Sequence, residues 1–196
     1  MNIEAPGGVK QVLLHTCCAP CSSAIIECMM QNGIMPLIFY CNPNIYPEEE
    51  YLIRKDECTR YAKSLGLEIV DADYDHENWL AAVKGLENEP ERGGRCLKCF
   101  KLRLLRTAEY ARDHGFKVIT TTLASSRWKS LDQINEAGSW ACNEALARRC
   151  SAASLASARC SKNIGHCFEA PPRQRDQDVD AKRTNPHFPS YQRFMT

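Results

Sequence analysis

The sequence has no apolar run long enough to cross a bilayer, which excludes a membrane-spanning helix. Residues 1–8 carry neither the basic start nor the apolar centre of a secretory signal, so the expected location is the cytoplasm, with no membrane partner. An excess of charge of one sign is also missing. With 25 Lys and Arg against 24 Asp and Glu the formal net charge is +1, so any contact with nucleic acid must come from a local basic patch. Internal repeats are absent. Where the first strand runs into its helix, Pro20 and cysteines stand in place of the glycines that a phosphate cradle needs.

Cysteine is abundant instead, with 12 in 196 residues. In a reducing compartment a disulfide framework is not expected, and clustered cysteines point to a metal or to catalysis. The densest cluster is Cys17, Cys18 and Cys21 in the stretch His15-Thr16-Cys17-Cys18-Ala19-Pro20-Cys21. Adjacent cysteines pair poorly with each other, because the short link strains the bridge. Packing seldom places thiols so densely. A second group is Cys96-x-x-Cys99. Cys28, Cys41 and Cys58 sit at apolar positions and read as small core residues.

Hydrophobic patterning gives one domain of alternating strands and helices. Strands are expected at residues 12–14, 36–41, 68–72 and 117–123. Helices are expected at 22–32, 48–65, 78–83 and 99–114, with another beginning at 131. Leu102, Leu105, Ala108 and Ala111 are the expected inward face of the fourth helix. The period of about 30 residues fits βαβ units and a parallel α/β sheet. In such a sheet the loops gather at the C-terminal strand edge, where ligands bind. Both cysteine groups follow such loops. Together they offer four or five thiolates, enough for an iron–sulfur cluster or a zinc. The Cys-x-x-Cys pair alone also fits a redox dithiol. His15 reads as a structural hydrogen-bonder or an outer donor to the cysteine group. Ser125, Arg127 and Lys129, with Trp128 between the two cations, suit a phosphate or an unstacked RNA base, or form an ordinary polar loop.

Beyond Gly138 the composition turns rich in Ala, Ser, Arg and Cys. It then becomes polar and proline-rich, with Pro171-Pro172-Arg173-Gln174-Arg175 an example. The division expected is an α/β domain over residues 1–138 and a tail over 139–196, irregular and partly disordered.

Four ordered motifs carry a resemblance to a known family. They are His15-x-Cys17-Cys18-x-Pro20-Cys21, Phe39-Tyr40-x-Asn42-Pro43-Asn44-Ile45, Arg95-Cys96-x-x-Cys99-x-x-Leu102-Arg103, and Thr121-Thr122-Leu123 leading to Ser125. Over residues 9–138 the chain resembles the QueH family of epoxyqueuosine reductases. The resemblance implies a three-layer, Rossmann-like fold of the nucleotide alpha-hydrolase-like group. It implies an oxidoreductase that reduces epoxyqueuosine to queuosine in a tRNA anticodon loop, the last step of queuosine biosynthesis, with an electron donor it does not identify. It further implies a [4Fe–4S] cluster on Cys17, Cys18, Cys96 and Cys99, and an additional mononuclear iron beside Cys21. The Tyr-Cys-Gly-Cys segment of that family, taken as its redox pair, has no counterpart here, so the catalytic residues stay unassigned. A shifted reading frame beyond about residue 138 is the expected origin of the departure, with impaired activity as its consequence. Two readings of other classes are an ATP-dependent, PP-loop-like tRNA-modifying enzyme and a non-catalytic module that binds metal and RNA.

Overall fold

The computed structural model describes residues 2–152, with the side chains of 149–152 left aside. Four parallel strands, β1 Gln11–Thr16, β2 Met35–Tyr40, β3 Ile69–Asp71 and β4 Ile119–Thr121, form one sheet in the order β3-β2-β1-β4. Five helices accompany them: α1 Ala19–Gln31, α2 Glu48–Ser64, α3 His76–Val83, α4 Gly94–Asp113 and α5 Leu131–Ala152.

The period-2 alternation of β1 divides the core into two layers. Val12 and Leu14, with Ile38 of β2, join Ile26 and Met29 of α1 and Ala62 of α2 on one face. Leu13, with Phe39 and Ile119, joins Phe100, Leu104 and Ala108 of α4 and Ile134 and Ala141 of α5 on the other. Helices thus cover both faces, which is why Val12, Leu13 and Leu14 of the central strand are all apolar and buried. The architecture is the expected three-layer α/β fold. Gly66 and Gly115, at φ +70° and +76°, take the left-handed turn that ends α2 and α4.

The structure differs from the sequence pattern in five places. Helix α1 starts at Ala19, three residues before the expected start, because Pro20 is tolerated in a first turn whose N–H groups lack helical partners. Cys21 therefore lies inside the helix. Likewise α4 starts at Gly94 and takes up both Cys96 and Cys99. A Cβ at Gly93 would come within 2.3 Å of Glu89 Oε2, and that carboxylate caps the helix by accepting from Gly94 N at 3.0 Å.

The inward face of α4 is Cys96, Cys99, Phe100, Arg103, Leu104, Thr107, Ala108 and Ala111, whereas Leu102 and Leu105 are only half-buried. Arg103 disguises this stripe, since a cation reads as surface. Strand β4 stops at Thr121, and Thr122–Ser125 form a 3₁₀ turn closed by Thr121 Oγ1 accepting from Leu123 N.

Helix α5, finally, runs through Gly138 to Ala152. Ile134, Ala137, Gly138, Ala141, Cys142 and Ala145 repeat at helical spacing and are all buried. Small residues on that stripe let α5 lie close on α4. The expected irregular tail falls, for residues 153–196, outside the described residues.

Candidate metal centre

The chain runs β1 to β2 to β3 outward in one direction and then returns to place β4 on the other side of β1. The strand order therefore reverses between β1 and β4. At such a switch point two loops diverge and leave a crevice at the C-terminal ends. Cys17 and Cys18 fill the short link after β1, and the 3₁₀ turn after β4 faces them. Cys17 N donates to Thr122 Oγ1 at 3.3 Å, and the Cys17 thiol meets the same hydroxyl at 3.6 Å.

The Sγ atoms of Cys17, Cys18 and Cys21 all lie within 4.8 Å of one another, with Cys17 and Cys18 at 3.8 Å. Two features of the chain bring them together. The link is only two residues long, and the first turn of α1 returns Cys21 over the N-cap Cys18, whose backbone is extended. The three thiols share charge unequally. Hydrogen bonds from Cys18 and from Cys21, then the positive charge of Arg103, hold the Cys17 thiol well below its ordinary range against the opposing effect of burial. Donating to Cys17 pushes Cys18 far up and Cys21 up to about 12. Of the three, Cys17 is the thiol whose deprotonation is favoured, and Ser125 Oγ reaches Cys21 from the turn after β4.

The shell behind this group is polar and buried. His15 is fully buried, and burial first, then Arg103, lowers its pKa to about 3. Its ring is therefore neutral. Cys41 O accepts from Nε2 at 3.0 Å, so Nε2 carries the proton and Nδ1 accepts from Thr121 Oγ1 at 2.7 Å. His15 is a structural tie between β1, β2 and β4, the first of the roles expected for it.

Arg103 is the residue that the sequence pattern passes over. Its Nε donates to Cys41 O at 3.1 Å and its Nη2 to Asn42 Oδ1, while Asn42 Nδ2 donates to Thr16 O at 2.9 Å. Arg103 is buried and makes no ion pair with a carboxylate among the described residues. A run of bonds therefore leads from α4 through Asn42 to the peptide that precedes Cys17. The signal that could have found it is spacing: Cys96, Cys99 and Arg103 fall at i, i+3 and i+7, on one helix face.

Cys96 and Cys99 are not part of the three-sulfur group. They stand on the first turns of α4, buried, with the Cys96 thiol donating to Glu91 Oε2 at 3.6 Å. Cys41 and Cys58 are buried as expected of core residues, and Cys28 is half-buried. At the rim, Lys129 Nζ pairs with Glu91 at 3.2 Å, and the Arg127 guanidinium lies 4.9 Å from the Trp128 ring centroid. Arg92 fixes this loop by donating to the carbonyls of Arg127 and Trp128. No helix among the described residues is long and apolar enough to cross a membrane.

The donor set decides what the group can hold. Soft sulfur ligands without a carboxylate suit zinc, copper(I) or iron–sulfur chemistry, and do not suit magnesium or calcium. A thiolate already stabilised in the protein lowers the cost of deprotonation that metal binding carries. A metal or cluster therefore fits the residues present. Pro20, lacking an N–H in the first turn of α1, makes the same loop a poor cradle for phosphate.

The family model described as "Epoxyqueuosine reductase QueH" matches residues 12–162, running past Gly138, where the motif resemblance ends. A protein named epoxyqueuosine reductase QueH from Haemophilus influenzae is 51% identical over 137 residues, covering 70% of this chain and 56% of that protein. Its namesake from Histophilus somni is 49% identical over 137 residues, with the same coverage. The one from Acinetobacter baylyi is 47% identical over 138 residues, covering 70% of this chain and 63% of that protein. The chain thus spans little more than half the length of these relatives. On this match over most of its length the chain belongs to the epoxyqueuosine reductase QueH family.

Proposed function

We propose that this chain carries the metal-binding part of an oxidoreductase that reduces epoxyqueuosine to queuosine in tRNA. The observation that carries the reading is the convergence of Cys17, Cys18 and Cys21 at the switch point, with the Cys17 thiol shifted downward by its two neighbours. Removing an epoxide oxygen takes two electrons and two protons and releases water. Among the side chains gathered at the switch point only the thiols can supply electrons or hold a group that does, and their soft sulfur donors suit such a group. Cys17, Cys18, Cys96 and Cys99 would hold a [4Fe–4S] cluster, and Cys21 would stand beside an additional iron. When bound, such a cluster supplies electrons one at a time at low potential.

The rest of the site holds and orients. Arg103 places a fixed positive charge behind an anionic sulfur group and ties α4, which bears Cys96 and Cys99, to the peptide before Cys17. Neutral His15 adds a tie without adding charge. Ser125, Arg127 and Lys129 form the rim that meets the RNA, with Arg127 and Lys129 toward phosphates. The electron donor is a separate molecule, and the cytoplasm is where tRNA and such a donor meet. In this reading residues 1–138 form the catalytic α/β domain, and residues 139–196 are a tail whose first helical turns complete the packing on α4.

Anaerobic reconstitution with iron and sulfide tests the proposal. The expected product carries iron and sulfide in near-equal amounts and, with dithionite and epoxyqueuosine-bearing tRNA, yields queuosine in the digested nucleosides. A protein that takes up only zinc, or an iron-loaded protein that leaves the epoxide intact with a competent donor, would overturn it. Cys96→Ala should lose the cluster, and an intact cluster in that variant would remove Cys96 from the ligand set.

A further inference from the structure

Tyr46 is the most exposed large aromatic side chain among the described residues, at 75%. One face of its ring is not free. It stacks on His76, with centroids 5.3 Å apart and planes 20° from parallel. His76 in turn stacks on Tyr74 at 5.6 Å and 12°, and on Trp79 at 5.6 Å and 20°. Tyr74 packs against the buried Tyr51 at 4.4 Å. A cluster of near-parallel rings around His76 thus links the buried Tyr51, through Tyr74, to the exposed ring of Tyr46.

The loop that carries Tyr46 is held from several sides. Asn42 Nδ2 donates to Thr16 O, Asn42 O accepts from Ile45 N at 3.2 Å, Tyr74 Oη donates to Ile45 O at 2.7 Å, and Pro43 O accepts from His76 Nδ1 at 2.7 Å. The exposed ring is therefore pre-positioned, and a planar partner would bind it with little ordering cost. Its place is also informative. The loop follows β2, the neighbour of β1, and its first residue is bonded to the peptide that precedes Cys17.

Charge narrows the occupant. Glu48 and Glu49 follow Tyr46 closely in the chain and Glu77 follows His76, and all three act on Tyr74. These carboxylates repel a phosphate. The cations Arg127 and Lys129 lie on the far side of the cysteine group, after β4. An RNA strand lying across the crevice meets its phosphate contacts on that side and presents a base, not its backbone, on this one. We infer that Tyr46, backed by His76, is a stacking platform for an unpaired base of the tRNA anticodon loop. This rests on the tRNA reading above and assigns a residue to it. Base–aromatic stacking is tolerant of sequence, so the platform orders the loop without selecting it.

The test uses the full chain and a synthetic anticodon stem-loop RNA with 2-aminopurine at successive loop positions. Wild-type protein should bind the stem-loop more tightly than a hairpin with the loop replaced by a linker. It should also change the 2-aminopurine fluorescence at one loop position. Tyr46→Ala should weaken binding by about 5- to 150-fold, the range that one base–aromatic stack is worth, and abolish that fluorescence change. Tyr46→Phe and Tyr46→Trp should restore both. Because Tyr46 is exposed, all three variants should keep the wild-type melting midpoint and metal content. Equal affinity of wild type and Tyr46→Ala would overturn the platform and leave the tRNA reading standing. A loss with Tyr46→Phe as large as with Tyr46→Ala would also overturn it, since the hydroxyl and not the ring would then be the contact. Failure of the wild type to prefer the stem-loop would overturn the tRNA reading itself.

Discussion

The two cysteine groups of this chain are built on different principles. Cys17, Cys18 and Cys21 sit on a two-residue link and the first helical turn after it. They are half-buried and already in mutual contact, with one proton deficit shared among three sulfurs. Cys96 and Cys99 ride on consecutive turns of α4, deeper in the molecule, and the one thiol bond described for them is to Glu91. The first group is assembled by local chain geometry. The second is delivered by a helix whose position depends on the whole fold. A centre made from both would need the helix-borne half held in register with the strand-borne half. Arg103 does that, through Cys41 and Asn42.

The two groups should differ most in thiol reactivity in the metal-free protein. Cys17, the thiol shifted downward by its neighbours, should alkylate at neutral pH at least about ten-fold faster than an ordinary cysteine. Cys17→Ala should remove the fast phase entirely, and Cys96→Ala should leave it within about two-fold. Fast phases of equal rate from both groups, mapped by mass spectrometry, would erase the distinction drawn here.

Next in size is Arg103→Met. It removes a buried guanidinium, leaves Asn42 Oδ1 without that donor and leaves Cys41 O with His15 Nε2 as its remaining one. Leaving a buried acceptor unpaired in this way costs about 1–3 kcal/mol, to be read from the midpoint of urea unfolding. Arg103→Lys should recover less than half of that, because an ammonium cannot span both acceptors. Full recovery by lysine would make Arg103 a charge alone and not a tie between the halves.

A smaller effect follows from His15. Its folded pKa of about 3 lies below the ordinary value of 6.5, so between those limits the unfolded chain binds the extra proton. Stability of the metal-free protein should be complete above pH 6.5 and fall as the pH drops. The loss should reach about 2 kcal/mol by pH 5. His15→Asn should flatten that slope, and an unchanged slope would assign the acid sensitivity to other groups.

The smallest effect expected is on Lys129, at the rim shared by the two halves through Glu91. Lys129→Ala should change stability by less than about 1 kcal/mol, as exposed ion pairs do. It should lower the salt dependence of RNA binding by about one phosphate contact.

Much of the fold was legible because its signals are local. The alternation of β1, the apolar β2 and the spacing of α2 and α4 each follow from near neighbours in the chain. The boundaries near the cysteines were less legible, since Pro20 in a first turn reads as loop and Gly93 gives no apolar signal. The stripe of α4 was displaced by one position, because Arg103 looks like surface until its acceptors are known. For α5 the change in composition at Gly138 masked an unbroken run of small residues that suit a helix interface.

By itself, then, the amino-acid sequence determined the parallel α/β class, the two cysteine motifs and the closeness of Cys17, Cys18 and Cys21. The first is read from local periodicity, and the other two from residues close together in the chain. Only the tertiary structure decided that the first group lies at the strand-order reversal between β1 and β4, and that Thr122 and Ser125 close over it. It likewise decided that Arg103 is buried, that His15 is neutral and that a ring cluster ends at Tyr46. The reason is physical. Burial, proton affinity and stacking depend on which distant segments exclude water from a side chain, and sequence spacing carries no measure of that.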